Sequence, residues 1–518
     1  MSSFRVFTGQ LAVISSTIGF NVFVSTKTNK VQANSAEYTL ADVQQHNSSE
    51  NGLWVSFGDG VFDVTDFYAH NGGRKYVELA AGGRLEPFWT IFRDHLHSTS
   101  ASRALLEQYR IGTLAKEDRV AISYDDSKDA LSNEFHQFAH EPVGDRPVDD
   151  LIVMRQYPFL AEAVPELLGE SFFTPNELFY TRNHFPVPHE VDTTNYSLDL
   201  HIDSGSDVSF DAVNDEWDSM PCDVALTLDE IKNGFENVEI AAALQCSGNR
   251  GSDVYDKMGI KKVCCKNGFI SNAKWKGVRI RDVMLRNGYD PEDDRYAEYK
   301  FMTFYGSDTD LSTMHYAMSV PIDYVMNKSN DCLLVWEMNG VELPRDHGYP
   351  LRALLPGNAG CRSVKWLKKI QLTKGEVENE WQQRLYQPYR HRIYDMPVTS
   401  IITKYEMLGD GRMEVHGFAW SGGGRGILKV EVSTDDGETW TTCDLEQAEQ
   451  ESGKQWAWTL WKVNVDVTSI SENKSPFHIL CRALDSSFNS QPRDIVFNGT
   501  MYCNNAWHSV PVDFYCDC

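Results

Sequence analysis

The 518-residue sequence lacks three features that would each assign it to a common functional class. Basic residues are in deficit, with 48 lysines and arginines against 74 aspartates and glutamates, and the net charge of −26 disfavours binding to nucleic acid or anionic membranes. The 11 cysteines contain no CxxC pair, and the length argues against a disulfide-dense secreted scaffold. No stretch stays apolar over the roughly 20 residues of a membrane span, so we expect no stable membrane insertion. The remaining classes are globular proteins, whose acidic surface would suit a basic protein partner.

The first 35 residues predict a targeting segment. Arg5, Lys27 and Lys30 are its only charged side chains, and serine and threonine are frequent. The apolar run at 11–24 is too short to cross a bilayer. We interpret residues 1–35 as a mitochondrial transit peptide with a sorting segment, which predicts the intermembrane space, and a secretory signal is the alternative.

The rest of the sequence predicts an α+β multidomain protein, because single cores stop growing near 250–300 residues. The predicted segments are a unit of short strands and later helices at 36–116, an acidic linker at 117–148, a mixed α+β domain at 149–392 and a β-rich domain at 393–514. The mixed domain lacks the strand–helix alternation of a doubly wound sheet. Successive short strands and an Asp-Asp-Gly turn at 435–437 predict an immunoglobulin-like sandwich for the β-rich domain. We expect Trp456, Trp458 and Trp461 to share one surface of that sandwich.

A histidine motif in the first unit indicates a haem site. His70 precedes Asn-Gly-Gly, and the two glycines allow the backbone to approach a flat ligand. Together with residues 61–65, 85–89 and 109–112, this motif resembles the cytochrome b5 domain of sulfite oxidases. The resemblance implies haem b, with His70 as one ligand of the haem iron. Gapless counting makes His95 the second ligand, and His97 is the alternative.

A cysteine motif in the mixed domain indicates a redox metal. Cys246 lies in Leu-Gln-Cys-Ser-Gly-Asn-Arg, and a thiolate is a soft metal ligand. The segments 179–188, 344–352 and 362–366 add arginine, lysine and histidine, which suit a phosphate-bearing anionic cofactor. In this order, the segments resemble the molybdopterin domain shared by sulfite oxidases and eukaryotic nitrate reductases.

That second resemblance implies a molybdenum–molybdopterin cofactor with Cys246 as the protein ligand of molybdenum. Arg182 and Tyr386 match the arginine and tyrosine of the family's active site, so both are candidate catalytic residues beside Cys246. Residues 416–425 resemble part of the family's dimerisation domain, which implies a homodimer. The residues implied to line the cofactor are Tyr180, Thr181, Arg182, Asn183, His184, Asp308, His347, Arg352, Ser363, Val364 and Lys365.

The order of the domains implies the reaction. A haem domain placed first, without a flavin or nicotinamide module behind it, is similar to the arrangement of animal sulfite oxidases. The resemblance therefore implies an oxidoreductase that oxidises sulfite to sulfate at molybdenum and passes electrons through haem to cytochrome c.

Three residues depart from the family pattern around the substrate. Gly251 stands at the position of a second arginine, Cys265 at that of a tryptophan, and Ser509 at that of a further arginine, so we expect a roomier and less positive pocket. In one interpretation other cations compensate, the candidates being Arg250, Lys261, Lys262 and Lys266. In the alternatives, the chain is a paralogous molybdenum oxidoreductase with another substrate, or a cofactor-binding protein with little activity.

Overall fold

The computed structural model describes residues 36–48, 51–65, 80–85, 106–119, 141–188, 192–201, 223–260, 264–309, 314–379, 381–408, 411–468 and 476–512, with residue 384 described by its backbone alone. The chain divides into two compact units, Met1–Ile122 and Ser123–Cys518. The predicted targeting segment and the haem-ligand candidates His70, His95 and His97 lie outside the described residues.

The described part of the first unit is a small sheet with one short helix. Its elements are Glu37–Tyr38 (β1), Leu40–Gln44 (α1), Asn47–Ser48 (β2), Gly52–Phe57 (β3), Gly60–Asp63 (β4), Gly83–Arg84 (β5) and Arg110–Leu114 (β6). The strand order is β1-β6-β4-β3-β2, with β5 paired to β3. Thr39 starts α1 with a reciprocal capping box to Asp42. Apolar side chains such as Val55, Phe62 and Leu85 form the core.

The second unit begins with three sheets. Its strands up to residue 373 are Leu151–Arg155 (β7), Leu160–Ala163 (β8), Thr181–Arg182 (β9), Ser197–His201 (β10), Val224–Thr227 (β11), Asn237–Gln245 (β12), Ile270–Arg279 (β13), Phe301–Thr309 (β14), His315–Pro321 (β15), Leu333–Met338 (β16), Val341–Glu342 (β17), Arg352–Leu354 (β18) and Leu367–Thr373 (β19). The sheet orders are β7-β8-β9, β11-β10-β19-β14-β15, and β12-β13-β16-β17 with β18 on β16. Only the β10–β19 pair is parallel among the described pairs of these sheets.

Short helices cover these sheets. They are Pro165–Leu168 (α2), Leu228–Gly234 (α3), Gly251–Lys257 (α4), Ile280–Arg286 (α5) and Ile322–Met326 (α6). Thr227 caps α3 through a second capping box, with Glu230. Ile280 and Val283 of α5 and Ile322 and Val325 of α6 are buried in the largest core cluster. Among the described residues, no helix combines the length and apolar character of a membrane span.

The C-terminal part of the second unit is an antiparallel sandwich. Its strands are Thr399–Met407 (β20), Arg412–Trp420 (β21), Ile427–Ser433 (β22), Thr441–Thr442 (β23), Asp444–Gln447 (β24), Thr459–Asp466 (β25), Phe477–Asp485 (β26) and His508–Val512 (β27). One sheet has the order β20-β21-β25-β24 and the other β23-β22-β26-β27. Val415 and Val463 of the first sheet share a buried cluster with Val430 and Ile479 of the second. The predicted fold class, including the C-terminal sandwich, is confirmed.

The prediction that three tryptophans share one sandwich surface is wrong. Trp461 lies in the core between the two sheets, but Trp456 and Trp458 belong to other clusters. Both precede β25, so strand alternation does not control their direction. The Trp456 indole donates to Asp331 Oδ2 at 3.0 Å, and the Trp458 indole donates to the Phe172 carbonyl at 2.8 Å. These two side chains therefore attach the sandwich to the preceding sheets.

Candidate active site

One cavity of the second unit collects most of the residues predicted for molybdenum and its cofactor. It lies where the loop after β12 meets the segments around β9, β18 and the start of β19. Its lining residues are Phe179, Tyr180, Arg182, His184, Leu244, Cys246, Asp308, Tyr316, His347, Arg352, Gly360, Cys361, Ser363, Lys365, Trp366 and Tyr386.

Three of the predicted cofactor residues do not line the cavity. Thr181 is buried in β9, where the neighbouring Arg182 pairs with Leu160. Val364 is buried in the largest hydrophobic core. Asn183 is fully buried. Its side-chain Nδ2 donates to Asp346 Oδ1 at 3.1 Å, and its side-chain Oδ1 accepts from the Lys365 ammonium. Asn183 therefore does not line the cavity itself but orients Lys365, which does.

One side of the cavity, which we call the cofactor side, carries Arg352, Lys365 and His347. The Arg352 guanidinium donates to the carbonyls of His347 at 2.9 Å and Ser363 at 3.1 Å. The Lys365 ammonium donates to the Asp346 carbonyl at 2.8 Å. Burial lowers the pKa of Arg352 to about 10 and that of Lys365 to about 7. Burial therefore imposes a free-energy cost on the charged forms of both side chains, and an anionic ligand would offset that cost by pairing with them.

His347 supplies no positive charge to the cofactor side. Burial lowers the pKa of His347 to about 4, and the neighbouring Lys365 and Arg352 cations act in the same direction. Its Nε2 lies 3.0 Å from the Asn176 carbonyl, so this nitrogen is the donor of a neutral imidazole. The Nδ1 atom of that tautomer is an acceptor.

Unpaired polar atoms on the cofactor side fit the implied molybdopterin. Arg352 Nε and Asp308 Oδ1 are buried without a hydrogen-bond partner among the described residues. Burial raises the pKa of Asp308 to about 7, against the effect of Lys365. A cofactor with a phosphate and pterin donors would satisfy a guanidinium N–H and a carboxylate oxygen together. The donor set therefore fits a phosphate-bearing heterocycle.

A buried ion-pair network stands behind the cofactor side. Arg146 Nε donates to Asp346 Oδ2 at 2.7 Å, and Arg146 also pairs with Glu141, whose second oxygen accepts from the Val187 amide at 2.9 Å. The three charged side chains are almost completely buried. Asp346 also accepts from the Asn183 side-chain amide, and its backbone carbonyl accepts from Lys365, so the network fixes both the turn that carries His347 and the position of the Lys365 ammonium.

Cys246 faces the cavity from the loop between β12 and α4. Its amide donates to the Phe269 carbonyl at 2.9 Å, and the Gly248 amide approaches its sulfur at 3.4 Å. A hydrogen bond with the Cys265 thiol lowers the pKa of Cys246 to about 7, assisted by the Gly248 amide and the Arg182 charge and opposed by burial. The chain can therefore present a thiolate, the form that binds a soft metal, near neutral pH.

Arg182 and Tyr386 lie beside Cys246. Arg182 donates to the Asn183 carbonyl at 2.7 Å. Burial would lower the pKa of Arg182, but Tyr386, Cys246 and their neighbours raise it, so the guanidinium stays charged. The Tyr386 hydroxyl lies 2.8 Å from His184 Nε2, and burial raises its pKa well above the usual value, so the phenol keeps its proton.

The three departures from the family pattern lie in different places. Cys265 is buried and lies near Cys246, since a methyl group on Gly248 would lie 3.3 Å from Cys265 Sγ and 3.7 Å from Cys246 Sγ, but Cys265 is not one of the residues that line the cavity. Gly251 is buried at the start of α4, where a side chain would meet Cys264 Sγ at 3.0 Å. Ser509 is exposed in β27, opposite Leu480, so the expectation that it faces the pocket is wrong. Counting from a motif could not show that this stretch forms a sandwich strand.

Arg250 does not replace the missing cations. Its guanidinium donates to the Ala506 carbonyl, to the Trp507 carbonyl at 3.2 Å and to Asp253 Oδ2 at 2.9 Å. Lys266 is exposed, and Lys261 and Lys262 lie outside the described residues. Among the predicted compensating and catalytic cations that the structure describes, Arg182 is thus the one that lines the cavity together with Cys246.

Sequence reasoning missed several cavity residues. Phe179 and Trp366 adjoin predicted positions, so their motifs could have indicated them. Leu244 begins the cysteine motif and Cys361 adjoins the segment 362–366, whereas Tyr316 stands outside every motif that was assigned a role. A further tyrosine, Tyr502, packs its ring 5.4 Å from that of Tyr386, and no sequence signal indicated it.

Comparisons with known proteins agree with this site. Residues 184–381 match the family model of an oxidoreductase molybdopterin binding domain, residues 390–514 that of a Mo-co oxidoreductase dimerisation domain, and residues 39–115 that of a cytochrome b5-like haem/steroid binding domain.

Two curated relatives and one solved structure extend the comparison. The mitochondrial sulfite oxidase of Homo sapiens is 37% identical over 496 residues, covering 92% of this chain and 84% of the relative. The sulfite oxidase of Gallus gallus is 37% identical over 491 residues, covering 91% and 98%. The sulfane dehydrogenase SoxCD of Paracoccus pantotrophus aligns with a TM-score of 0.56 and 24% identity over 76% of this chain and 95% of that chain, which shows a shared fold.

Proposed function

This chain belongs to the sulfite oxidase family, and from that premise we propose that it oxidises sulfite to sulfate at a molybdenum–molybdopterin cofactor and passes the electrons to haem b. The observation that supports the proposal best is one cavity in which the Cys246 thiol, the Arg182 guanidinium and the Tyr386 phenol lie together. Behind them stand the buried cations of the cofactor side.

The proposed work of the protein is to hold and orient the reacting groups. The molybdenum cofactor, when bound, supplies the two-electron redox chemistry. Cys246 would hold the metal, Lys365 and Arg352 would bind the phosphate of the cofactor, and the Nδ1 atom of His347 would accept a hydrogen bond from a donor of the pterin. Arg182 would attract the sulfite dianion and stabilise the charge that develops during its oxidation. Tyr386, protonated and held by His184, would donate a hydrogen bond to the same oxyanion.

The wider assignments are proposals of the same kind. We propose His70 with His95, or with His97 as the alternative, as ligands of the haem iron, and cytochrome c as the electron acceptor. The acidic charge of the chain would favour encounter with a basic acceptor, in a manner that salt weakens. We propose a mitochondrial homodimer, in the intermembrane space, with the dimerisation domain at 393–514 and a linker at 117–148.

The visible spectrum of the haem tests this function directly. Purified protein with both cofactors is kept without oxygen, and spectra are recorded before and after sulfite is added. Reduction of the haem by sulfite is the expected result, and the matched Cys246→Ser variant should respond to dithionite alone.

A wild-type haem that dithionite reduces and sulfite does not would contradict the proposal. Gly251 and Cys265 would then mark a pocket for another substrate, and other oxyanions and sulfur compounds would be tested with the same haem signal.

A further inference from the structure

Arg362 is a buried arginine that the proposed function does not use. It follows Cys361, which lines the cavity, and its side chain is 0% exposed. Among the described residues, its guanidinium donates only to neutral oxygens, one of which is the Ser319 carbonyl at 3.3 Å. The guanidinium carbon also lies 4.6 Å from the centre of the Tyr394 ring. A cation that has lost its water depends on such contacts, so its surroundings hold it in one place.

The Arg362 guanidinium joins the two ends of one loop. Its Nε and one terminal nitrogen donate to the Ile393 carbonyl at 3.0 and 2.8 Å. Its other terminal nitrogen donates to the side-chain oxygen of Gln382. These two partners lie near the start and at the end of residues 381–393, which we call the tyrosine loop because Tyr386 lies within it. A single buried side chain therefore closes the loop.

Backbone hydrogen bonds connect this closure to Tyr386. The Ile393 amide donates to the Tyr386 carbonyl at 3.0 Å, and the Tyr386 amide donates to the Trp381 carbonyl at 3.1 Å. The residues Trp381–Leu385 form a short π-helix, a conformation that occurs frequently at functional sites. Ile393 thus binds Arg362 through its carbonyl and Tyr386 through its amide, so one residue of backbone separates the guanidinium from the tyrosine.

The tyrosine loop includes a strained turn that needs support from outside. Tyr389 and Arg390 have φ angles of 49° and 61°, in the left-handed region that residues with a side chain seldom adopt. Such a conformation persists only where surrounding contacts determine it. Glu376 adds further contacts from outside the loop, since it accepts from Gln382 Nε2 at 2.7 Å and from Arg392 Nε at 2.8 Å.

We propose that Arg362 is a positioning residue that places the Tyr386 phenol beside His184 by closing the tyrosine loop. The proposal rests on the proposed function in taking Tyr386 as a group that contacts the substrate. The Tyr386 hydroxyl lies 2.8 Å from His184 Nε2, and a displaced loop would break this contact and turn the phenol away from the oxyanion. A misplacement of about 1 Å can lower a rate about 10²-fold.

A double-mutant cycle on the holoenzyme tests the proposal, with the rate of sulfite-dependent haem reduction as the readout. The variants are Arg362→Met, Tyr386→Phe and their combination. We expect Arg362→Met to lower kcat about 10²-fold. The combination should stay within about twofold of Tyr386→Phe alone, because a misplaced phenol and an absent phenol have the same consequence. Losses that multiply would overturn the proposal, since Arg362 would then act independently of Tyr386.

Arg482→Met is the matched control for the loss of a stacked arginine. The Arg482 guanidinium carbon lies 3.9 Å from the centre of the Trp440 ring, but Arg482 belongs to a strand of the sandwich. Its kcat should match wild type, and a loss equal to that of Arg362→Met would contradict a specific role of Arg362. If Arg362→Met does not fold, Arg362→Lys enters the same cycle. It keeps the charge but not the planar fork that reaches both ends of the loop, so we expect a smaller loss with the same dependence on Tyr386.

Carbon NMR of the holoenzyme labelled at tyrosine Cζ gives a readout that needs no turnover. The Tyr386 signal is assigned by its loss in Tyr386→Phe, and its chemical shift responds to hydrogen bonding of the phenol. Arg362→Lys should move this signal, and Arg482→Met should leave it in place. A Tyr386 signal that Arg362→Lys does not move would overturn the proposal. Because this measurement uses no sulfite, its failure is distinguishable from a failure of the proposed substrate.

Discussion

The cofactor side and a sulfur cluster, by which we mean Cys264, Cys265 and Met501, lie in the same unit but differ in polarity. On the cofactor side, Lys365 and Arg352 are buried cations fixed by backbone carbonyls, with polar atoms left for a ligand. In the sulfur cluster, the Cys264 and Met501 sulfur atoms occupy the space next to Gly251, the position at which the resemblance implies an arginine in the family. The comparison teaches that the cavity has buried cations on the cofactor side while sulfur atoms, not a cation, pack against Gly251, which leaves Arg182 as the cation that we propose would face a substrate.

The largest expected effect comes from removing that charge. Arg182→Met should lower the rate of sulfite-dependent haem reduction about 10²–10³-fold, because a single donor to an oxyanion site contributes this much. Stopped-flow spectroscopy measures the rate, and Lys266→Met, which removes an exposed cation, is the control. If the rate of Arg182→Met stays within a few-fold of wild type, groups other than Arg182 stabilise the negative charge of the substrate.

A smaller effect is expected on the cofactor side. Lys365→Met should weaken molybdopterin binding about 10–100-fold, since a hydrogen bond to a charged group contributes about 1.5–3 kcal/mol. Equilibrium binding of the released cofactor to cofactor-free protein measures this, with the partly exposed Lys368→Met as control. Unchanged affinity would show that Lys365 does not contact the cofactor.

The packing of sulfur atoms around Gly251 can be tested by placing at this position the arginine that the resemblance implies for the family. Gly251→Arg should lower the free energy of unfolding by about 1–3 kcal/mol, because its Cβ would lie 3.0 Å from Cys264 Sγ and 3.1 Å from Met501 Sδ. Adding Cys264→Ala should restore part of that loss, as chemical denaturation would reveal. A Gly251→Arg single variant as stable as wild type would mean that the side chains of the sulfur cluster can move to make room for the arginine.

The smallest effect concerns His347, which tests whether the cofactor side relies on a neutral imidazole. The folded-state pKa of about 4 lies below the unfolded value of 6.5, so unfolding takes up a proton as the pH falls. Stability from this group is fully present above pH 6.5 and is lost as the pH falls towards 4. Between pH 7 and pH 5.5, cofactor-free wild type should lose about 1 kcal/mol more unfolding free energy than His347→Gln. Parallel pH profiles of the two proteins would contradict a neutral His347.

Contiguous motifs allowed much of the cavity to be predicted. Tyr180, Arg182 and His184 come from one stretch, and Cys246 and Lys365 from two others, so local sequence was enough to indicate them. Tyr316 and Tyr502 reach the site through β15 and a late loop, and only the folded sheets bring them there. Which residues face the cavity depends on strand position, and this is why Ser509 and the three tryptophans were predicted wrongly.

The late loop before β27 also has a consequence for the order of biosynthesis. The backbone amide of Cys503 donates to the Ser247 carbonyl at 2.8 Å. The side-chain amide of Asn504 donates to the Arg250 carbonyl at 3.1 Å, and the Arg250 guanidinium donates to the Ala506 carbonyl. The loop that carries Cys246 is therefore secured by residues translated more than 250 positions later. Because domains fold as the chain emerges, the earlier sheets can form on the ribosome while the loop that carries Cys246 still lacks these contacts. Insertion of the cofactor into a finished pocket must then follow translation of the sandwich.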